Sequence, residues 1–529
     1  MAQYLSLPRL EGPISLTLNE IATIKARISE AQEQLNTLEN PMNKDGAVNL
    51  DSTSLKDRKN AEIASLQNIL SPIRRMPPEI VSEIFMIYCS MYHRNYGGLH
   101  QATRTRIILT SVCAAWRNAA VATPELWSEL KVYREGYRRT NPADSDIVTQ
   151  WLSRSGDLPL HLNISLRMGY MGNISEAFLA FSHRIHSLEV CLPMKHFEPF
   201  LHLPKSSFPS LEKLILDFRH RDPFYFSEEL ESQYPSGIEI FSDSHQLKYV
   251  KFDEDGFSSV LENIKLPQDT VTSLMVSATY CYRSQFPSVY FDTVRSMNQL
   301  VHCTIDFPAQ RFELSDTRQP IILPFLQSLT LSTGWDVDTG YDAAFFRCLY
   351  APLLKDLHLV HESLNHMELV KELKRFHARS AVSLSSLHLS SFYGDAISGK
   401  DIIPLVAVFP SIHTLRVDQT STRLDIRPLL VALVYNPNHP GPLHLPNLEE
   451  LNLDVPEVEV GEVCNLIQSY WRPIDKDNAG ANPSLPDVED GTSRLRKAKF
   501  LASDRQVDVD RLTKLAHESA LHGIQFEFE

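Results

Sequence analysis

The chain has 529 residues, 43% hydrophobic and 22% charged, with a formal net charge of −14 and a pI near 5.8. That composition is globular, with room for about two to four domains. The acidic balance, with no dense Lys/Arg run interleaved with aromatics, argues against nucleic acid as a partner, and no run of about 18 apolar residues is present to span a membrane. Arg74-Arg75 and the stretch 494–499 are the nearest basic clusters, and both are short.

The seven cysteines are scattered singly, none as CxxC, which argues against a zinc site and for free thiols in a reducing compartment. The N-terminus lacks a basic segment followed by a long apolar core. The expected location is therefore cytoplasmic and/or nuclear, not secreted, and the sequons at Asn163 and Asn173 read as chance matches.

Residues 14–39 read as a helix with two heptad positions, Ile14, Ile21, Ile28 and Leu35 on one and Thr17, Ile24, Ala31 and Leu38 on the other. Asn40-Pro41 stops it, and a second helix over 54–70 carries Ile63, Leu66 and Leu70. The simplest structure is an antiparallel hairpin over 1–71; the alternative is pairing between chains.

Residues 72–130 are the most informative stretch. Pro77, Pro78 and Glu79 suit a first helical turn. Ile80, Ile84, Ile87 and Met91 then recur as an apolar stripe, with Val81 and Phe85 alongside. A polar connection is expected over His93–Thr105 and a second helix over Arg106–Ala120, followed by a turn at Pro124 that ends on Trp127. The pattern Met76-Pro77-Pro78-Glu79-Ile80-Val81-x-x-Ile84-Phe85, then Leu109-x-x-Val112-Cys113-x-x-Trp116-Arg117-x-x-Ala120, then Pro124-x-Leu126-Trp127, resembles an F-box. Met76 stands where leucine is usual, and the link between the halves is long. The resemblance implies docking of a Skp-type adaptor and, through it, a cullin-based ubiquitin ligase. Pro77, Ile80, Val81, Ile84, Phe85, Val112, Cys113, Trp116 and Trp127 would form or support the adaptor surface.

Beyond it, Asp146–Ser155 reads as a short helix with Trp151 and Leu152 inward, and Leu158–Ile164 as a strand. A six-residue template then repeats: apolar, two variable, apolar, one variable, apolar. It appears as IHSLEV (185–190), LEKLIL (211–216), LKYVKF (247–252), VTSLMV (271–276), LVHCTI (300–305), LQSLTL (326–331), LKDLHL (354–359), LSSLHL (384–389), IHTLRV (412–417), LEELNL (448–453) and LRKAKF (495–500). A proline leads into several copies, as in FPSLEKL and LPNLEEL. The final GIQFEFE reads as an acidic edge strand. Residues 219–244 and 473–493 read as long loops, the second mobile.

Residues 131–529 resemble a leucine-rich repeat solenoid of divergent spacing. Together the segments are similar to combined F-box, leucine-rich proteins of mushroom-type fungi. The expected fold class is a helical hairpin and an all-α F-box followed by a β/α solenoid. The implied function is the substrate-recognition subunit of an SCF-type ligase, holding a client protein of unknown identity and not itself an enzyme. A ligase-independent repeat scaffold is the alternative.

Catalytic and cofactor motifs are not forthcoming. Gly394–Lys400 has the spacing of a phosphate loop, but Asp401 replaces the magnesium-binding Ser/Thr. His361-Glu362 with His366 is one residue too long for a zinc-protease motif. No metal or cofactor is expected. One pattern bears on a client. The residue after the template is Asp217, Asp253, Asp306, Asp418 and Asp454 in five repeats, and Ser277, Ser332 and Ser390 in three. Stacked, these would offer a basic segment a docking row; equally, Asp and Ser end strands well by satisfying local backbone groups.

Overall fold

The computed structural model describes residues 15–39, 50–72, 76–92, 99–134, 143–166, 174–191, 197, 200, 203–218, 237–254, 260–278, 286–307, 319–333, 340–360, 366–390, 399–418, 425–434, 443, 445–454, 460–471, 495–501 and 509–528. It divides into two compact units, residues 1–185 and 186–529. The expected mobile loop 473–493 and most of the loop 219–244 lie outside the described residues.

The first unit opens with α1 (Leu18–Glu39) and α2 (Leu50–Leu70). A reciprocal cap starts α1: the Glu20 N–H donates to Thr17 Oγ1 at 3.3 Å, and the Glu20 carboxylate accepts from the Thr17 N–H and hydroxyl at 2.9 Å. The helix therefore begins at Leu18 and not at residue 14. Ile24 packs with Leu66 and Ile69, with Leu16, Ile28 and Leu70 around them, and Arg27 reaches Glu62 at 3.3 Å. This pairing is that of an antiparallel hairpin within one chain.

Next come α3 (Pro78–Tyr92), α4 (Leu99–Val112), α5 (Ala114–Val121) and a 3₁₀ turn over Pro124–Trp127. The single helix expected over Arg106–Ala120 is two. It starts earlier, at Leu99, and breaks at Cys113, whose backbone is extended (φ −161°, ψ 170°). Strand β1 (Glu129–Arg134) pairs in parallel with β2 (Leu160–Leu166), from Glu129↔His161 to Arg134↔Leu166, with α6 (Ala143–Arg154) as the crossover. The short helix α7 (Ile174–Leu179) follows.

The second unit is a parallel β/α array. Its strands are β3 (Ile185–Cys191), β4 (Lys213–Asp217), β5 (Tyr249–Glu254), β6 (Ser273–Ala278), β7 (His302–Phe307), β9 (Ser328–Thr333), β11 (Asp356–Val360), β12 (Ser386–Ser390), β13 (Thr414–Asp418), β14 (Glu450–Asp454), β15 (Lys497–Leu501) and β16 (Gln525–Phe528). Each pairs in parallel with its neighbours in chain order, while β8 (Ile321–Ile322) and β10 (Leu349–Tyr350) form a separate two-stranded sheet. The intervening helices are α8 (Val260–Asn263), α9 (Phe286–Ser296), α10 (Tyr341–Cys348), α11 (His366–Ser380), α12 (Gly399–Val406), α13 (Arg427–Leu433), α14 (Val460–Ser469) and α15 (Val509–Leu521).

Every template copy contains a strand, and the register shows why. Leu188, Leu214, Leu274, Leu329, Leu357, Leu387, Leu415 and Leu451 stand in one row across the sheet, each at most 1% exposed. Burying such a leucine is worth about 2 kcal/mol. The proline lead-ins are turns: Leu211, Leu326, Leu354, Ile412 and Leu448 each donate their N–H to the carbonyl three residues back, across Pro209, Pro324, Pro352, Pro410 and Pro446. Proline is preset for the second position of such a turn. Behind the sheet, Phe291, Phe307, Phe345, Phe346 and Phe376 make a run of ring contacts between 5.3 and 6.5 Å.

The expected phosphate-loop spacing has another use. Residues 394–398 lie outside the described residues, but Gly399 heads α12 and donates its N–H to the Asp425 carbonyl at 2.8 Å. A Cβ there would meet the Leu429 nitrogen at 2.9 Å. The glycine lets two repeats approach, and its N–H is already taken.

Candidate docking surfaces

Two surfaces collect the residues singled out in the sequence. The first is on α3 and α4. The Ile80 and Val81 N–H groups bond to the Pro77 carbonyl at 3.1 and 3.2 Å, which seats the double proline at the helix start. From there α3 has two apolar faces. Val81, Phe85 and Cys89 point into the unit and are buried, whereas Ile80, Ile84, Ile87 and Met91, spaced by four, three and four, stay 41–69% exposed. Helix α4 adds Ile107, Ile108 and Val112, also exposed, while its Leu109 is buried. An exposed apolar row of this length marks an interaction surface.

The expected adaptor set therefore divides. Pro77, Ile80, Ile84 and Val112 are exposed, and Cys113 and Trp116 are half-buried. Val81, Phe85 and Trp127 belong to the core, where Phe85 meets Trp116 edge-on at 5.1 Å. Ile87, Met91 and Ile107 are exposed as well; the helical spacing already marked the first two.

Within the same unit, two tryptophans in edge contact are flanked by two arginines. The Arg106 guanidinium lies 5.0 Å over Trp151, Trp151 meets Trp127 edge-on at 4.9 Å, and Arg154 lies 4.7 Å over Trp127. Arg106 is 4% exposed and donates from Nε to the Leu126 carbonyl at 2.6 Å; its burial pulls its pKa below the usual arginine value. Trp127 Nε1 donates to the Ala120 carbonyl at 2.7 Å. Together these groups fix the turn that follows α5 to both α4 and α6.

The second surface is the outer face of the sheet in the second unit, away from the leucine rows. The residues after the template do stand in one register row, Asp217↔Asp253↔Ser277↔Asp306↔Ser332, and, past Val360, Ser390↔Asp418↔Asp454. Their bonds turn inward. Asp217 accepts from the Cys191 thiol at 3.4 Å, and Asp253, 3% exposed, pairs with Lys251 at 2.9 Å. Asp306 accepts from the Ser277 hydroxyl at 2.9 Å, and burial raises its pKa although Ser277 and Ser332 bond to it. Asp418 takes His388 at 2.7 Å and Arg416 at 2.8 Å; burial alone would raise its pKa, but these two partners bring it to about 2. The Asp454 side chain lies outside the described residues. The named bonds run to side chains on the same or the neighbouring strand, not to a docked segment.

Among the described residues, no group of three or more His, Cys, Asp or Glu is arranged to hold a metal, and no helix is long and apolar enough to cross a membrane. The described cysteines Cys89, Cys113, Cys191, Cys303, Cys348 and Cys464 are not joined in disulfides. A scan against protein-family models finds no match to the chain, and a search of curated proteins finds none either.

Proposed function

We propose that the chain is the substrate-recognition subunit of an SCF-type ubiquitin ligase, with α3–α5 as an F-box that docks a Skp-type adaptor and the β/α array as a leucine-rich repeat region that holds a client protein. The observation that carries this reading is the exposed row Ile80, Ile84, Ile87 and Met91 on α3, with Ile108 and Val112 exposed on α4. It belongs to the segment whose motifs resemble an F-box. A helical unit that merely capped the repeats would have no use for such a row, since leaving it in water forgoes its burial. A partner that covers it gains a cluster of large aliphatic anchors from which neighbouring contacts exclude water. The ubiquitin chemistry would then belong to the partners.

The test is a pull-down of the full chain with the Skp-type adaptor of its own organism, beside an Ile84→Asp, Ile87→Asp double variant. Phe85 is unsuitable for the variant because it is core. The wild type should bind, and the variant should lose at least about 2 kcal/mol, roughly thirtyfold, with an unchanged circular-dichroism melt. Equal binding by both proteins, or none by a folded wild type, would move the weight to a repeat scaffold that works without the ligase.

A further inference from the structure

The row between the two buried positions of each strand carries His358 on β11, His388 on β12 and Arg416 on β13, side by side in register. The two imidazoles lie flat on one another, with centroids 3.8 Å apart and planes 7° apart. His388 Nε2 is 2.7 Å from Asp418 Oδ2, and His358 Nε2 is 2.8 Å from Ser390 Oγ. Arg416 Nε donates to the same Asp418 at 2.8 and 2.9 Å. The charged groups that share the outer face of β9, β11, β12 and β13 with the pair are Asp418, Arg416 and Asp356. The remaining neighbours there are Ser328, Thr330, Ser332, Val360, Ser386, Ser390 and Thr414.

One carboxylate thus serves an arginine and one imidazole. A proton on His388 points at Asp418 and is compensated. A proton on His358 as well would set two cations in face contact, and Ser390, its own partner, carries no charge. We propose that the stack is a one-proton device: Asp418 faces only one of the two imidazoles, His358 has no counter-charge, and acid that forces a proton onto His358 parts β11 from β12 and opens the outer face of the sheet there. The proposal concerns the second unit alone and does not depend on the adaptor reading.

The titration directions agree. Burial, then the charge of His388, holds His358 down to about 4 from an ordinary 6.5. A histidine depressed in the folded state contributes stability above its unfolded value, and that contribution declines as pH falls from about 6.5 toward 4. Asp418, held at about 2 against an ordinary 3.8, loses its contribution only below that range. The window between them belongs to His358.

Hydrogen exchange of the full chain, followed by mass spectrometry at about pH 7 and about pH 4.5 with times corrected for intrinsic exchange, tests this. In the wild type, protection over β11 and β12 should fall about tenfold or more relative to β4 and β5. His358→Gln, which keeps a polar group for Ser390 but has no proton to gain, should hold its protection. Equal loss in both proteins, or no loss in the wild type, would overturn the proposal. A second measurement needs no folded variant: with ¹³C-labelled histidine in the wild type, one imidazole should stay neutral below about pH 5. If all histidines titrate together near their ordinary value, the one-proton stack is wrong.

Discussion

The two units use the same residue types in opposite ways. In the array, eight leucines of one register row are each at most 1% exposed. On α3, four aliphatic side chains at helical spacing keep 41–69% of their surface in water. Each repeat finds its burial in the next one, so the array is satisfied by itself. The helical unit is satisfied on one face of α3 and not on the other. The lesson is that an apolar stripe in a sequence reports demand for a contact, and only the structure shows whether the chain supplies it.

The comparison can be broken first at its buried side. Phe85→Ala should destabilise the first unit by about 3–5 kcal/mol, and Leu387→Ala the array by about 2–5 kcal/mol. Denaturant melts of each variant would check both, and a Phe85→Ala protein as stable as the wild type would dissolve the distinction between the two faces of α3. Next in size is Gly399→Ala. A Cβ 2.9 Å from the Leu429 nitrogen must push two repeats apart, for an expected loss of about 1–3 kcal/mol in the same melt. Smallest is Ile87→Ser, at a position 59% exposed, which should move the melt by no more than about 0.5 kcal/mol. A large loss there would mean that the outer row of α3 already has an intramolecular partner.

The array was legible because its signal is repeated and local. The template spacing, the proline turns and the register of Asp217, Asp253, Asp306 and Asp418 all follow from short-range pattern. What those carboxylates do was not, since their partners, such as Lys251 for Asp253 and His388 for Asp418, depend on side-chain geometry. In the helical unit the errors have definite causes. The start of α4 at Leu99 was not legible because the sequence from Leu99 to Thr105 carries no apolar stripe, and the buried Thr105 and Arg106 are polar. Neither proline nor glycine announces the break at Cys113. Phe85 was grouped with Ile84 because the stripe is wider than one face. Strand β1 follows a turn without a template and was missed, as were the two-residue strands β8 and β10.

The Arg106–Trp151–Trp127–Arg154 stack sets a limit on modularity. Two of its members lie before residue 130 and two after it. A fragment cut at 130 would strip Arg106 of its ring and leave Trp127 without both Trp151 and Arg154. The helical motif is thus not a detachable cassette: it is grafted onto the first β/α crossover, and a chimera that borrows it intact must carry the chain through α6.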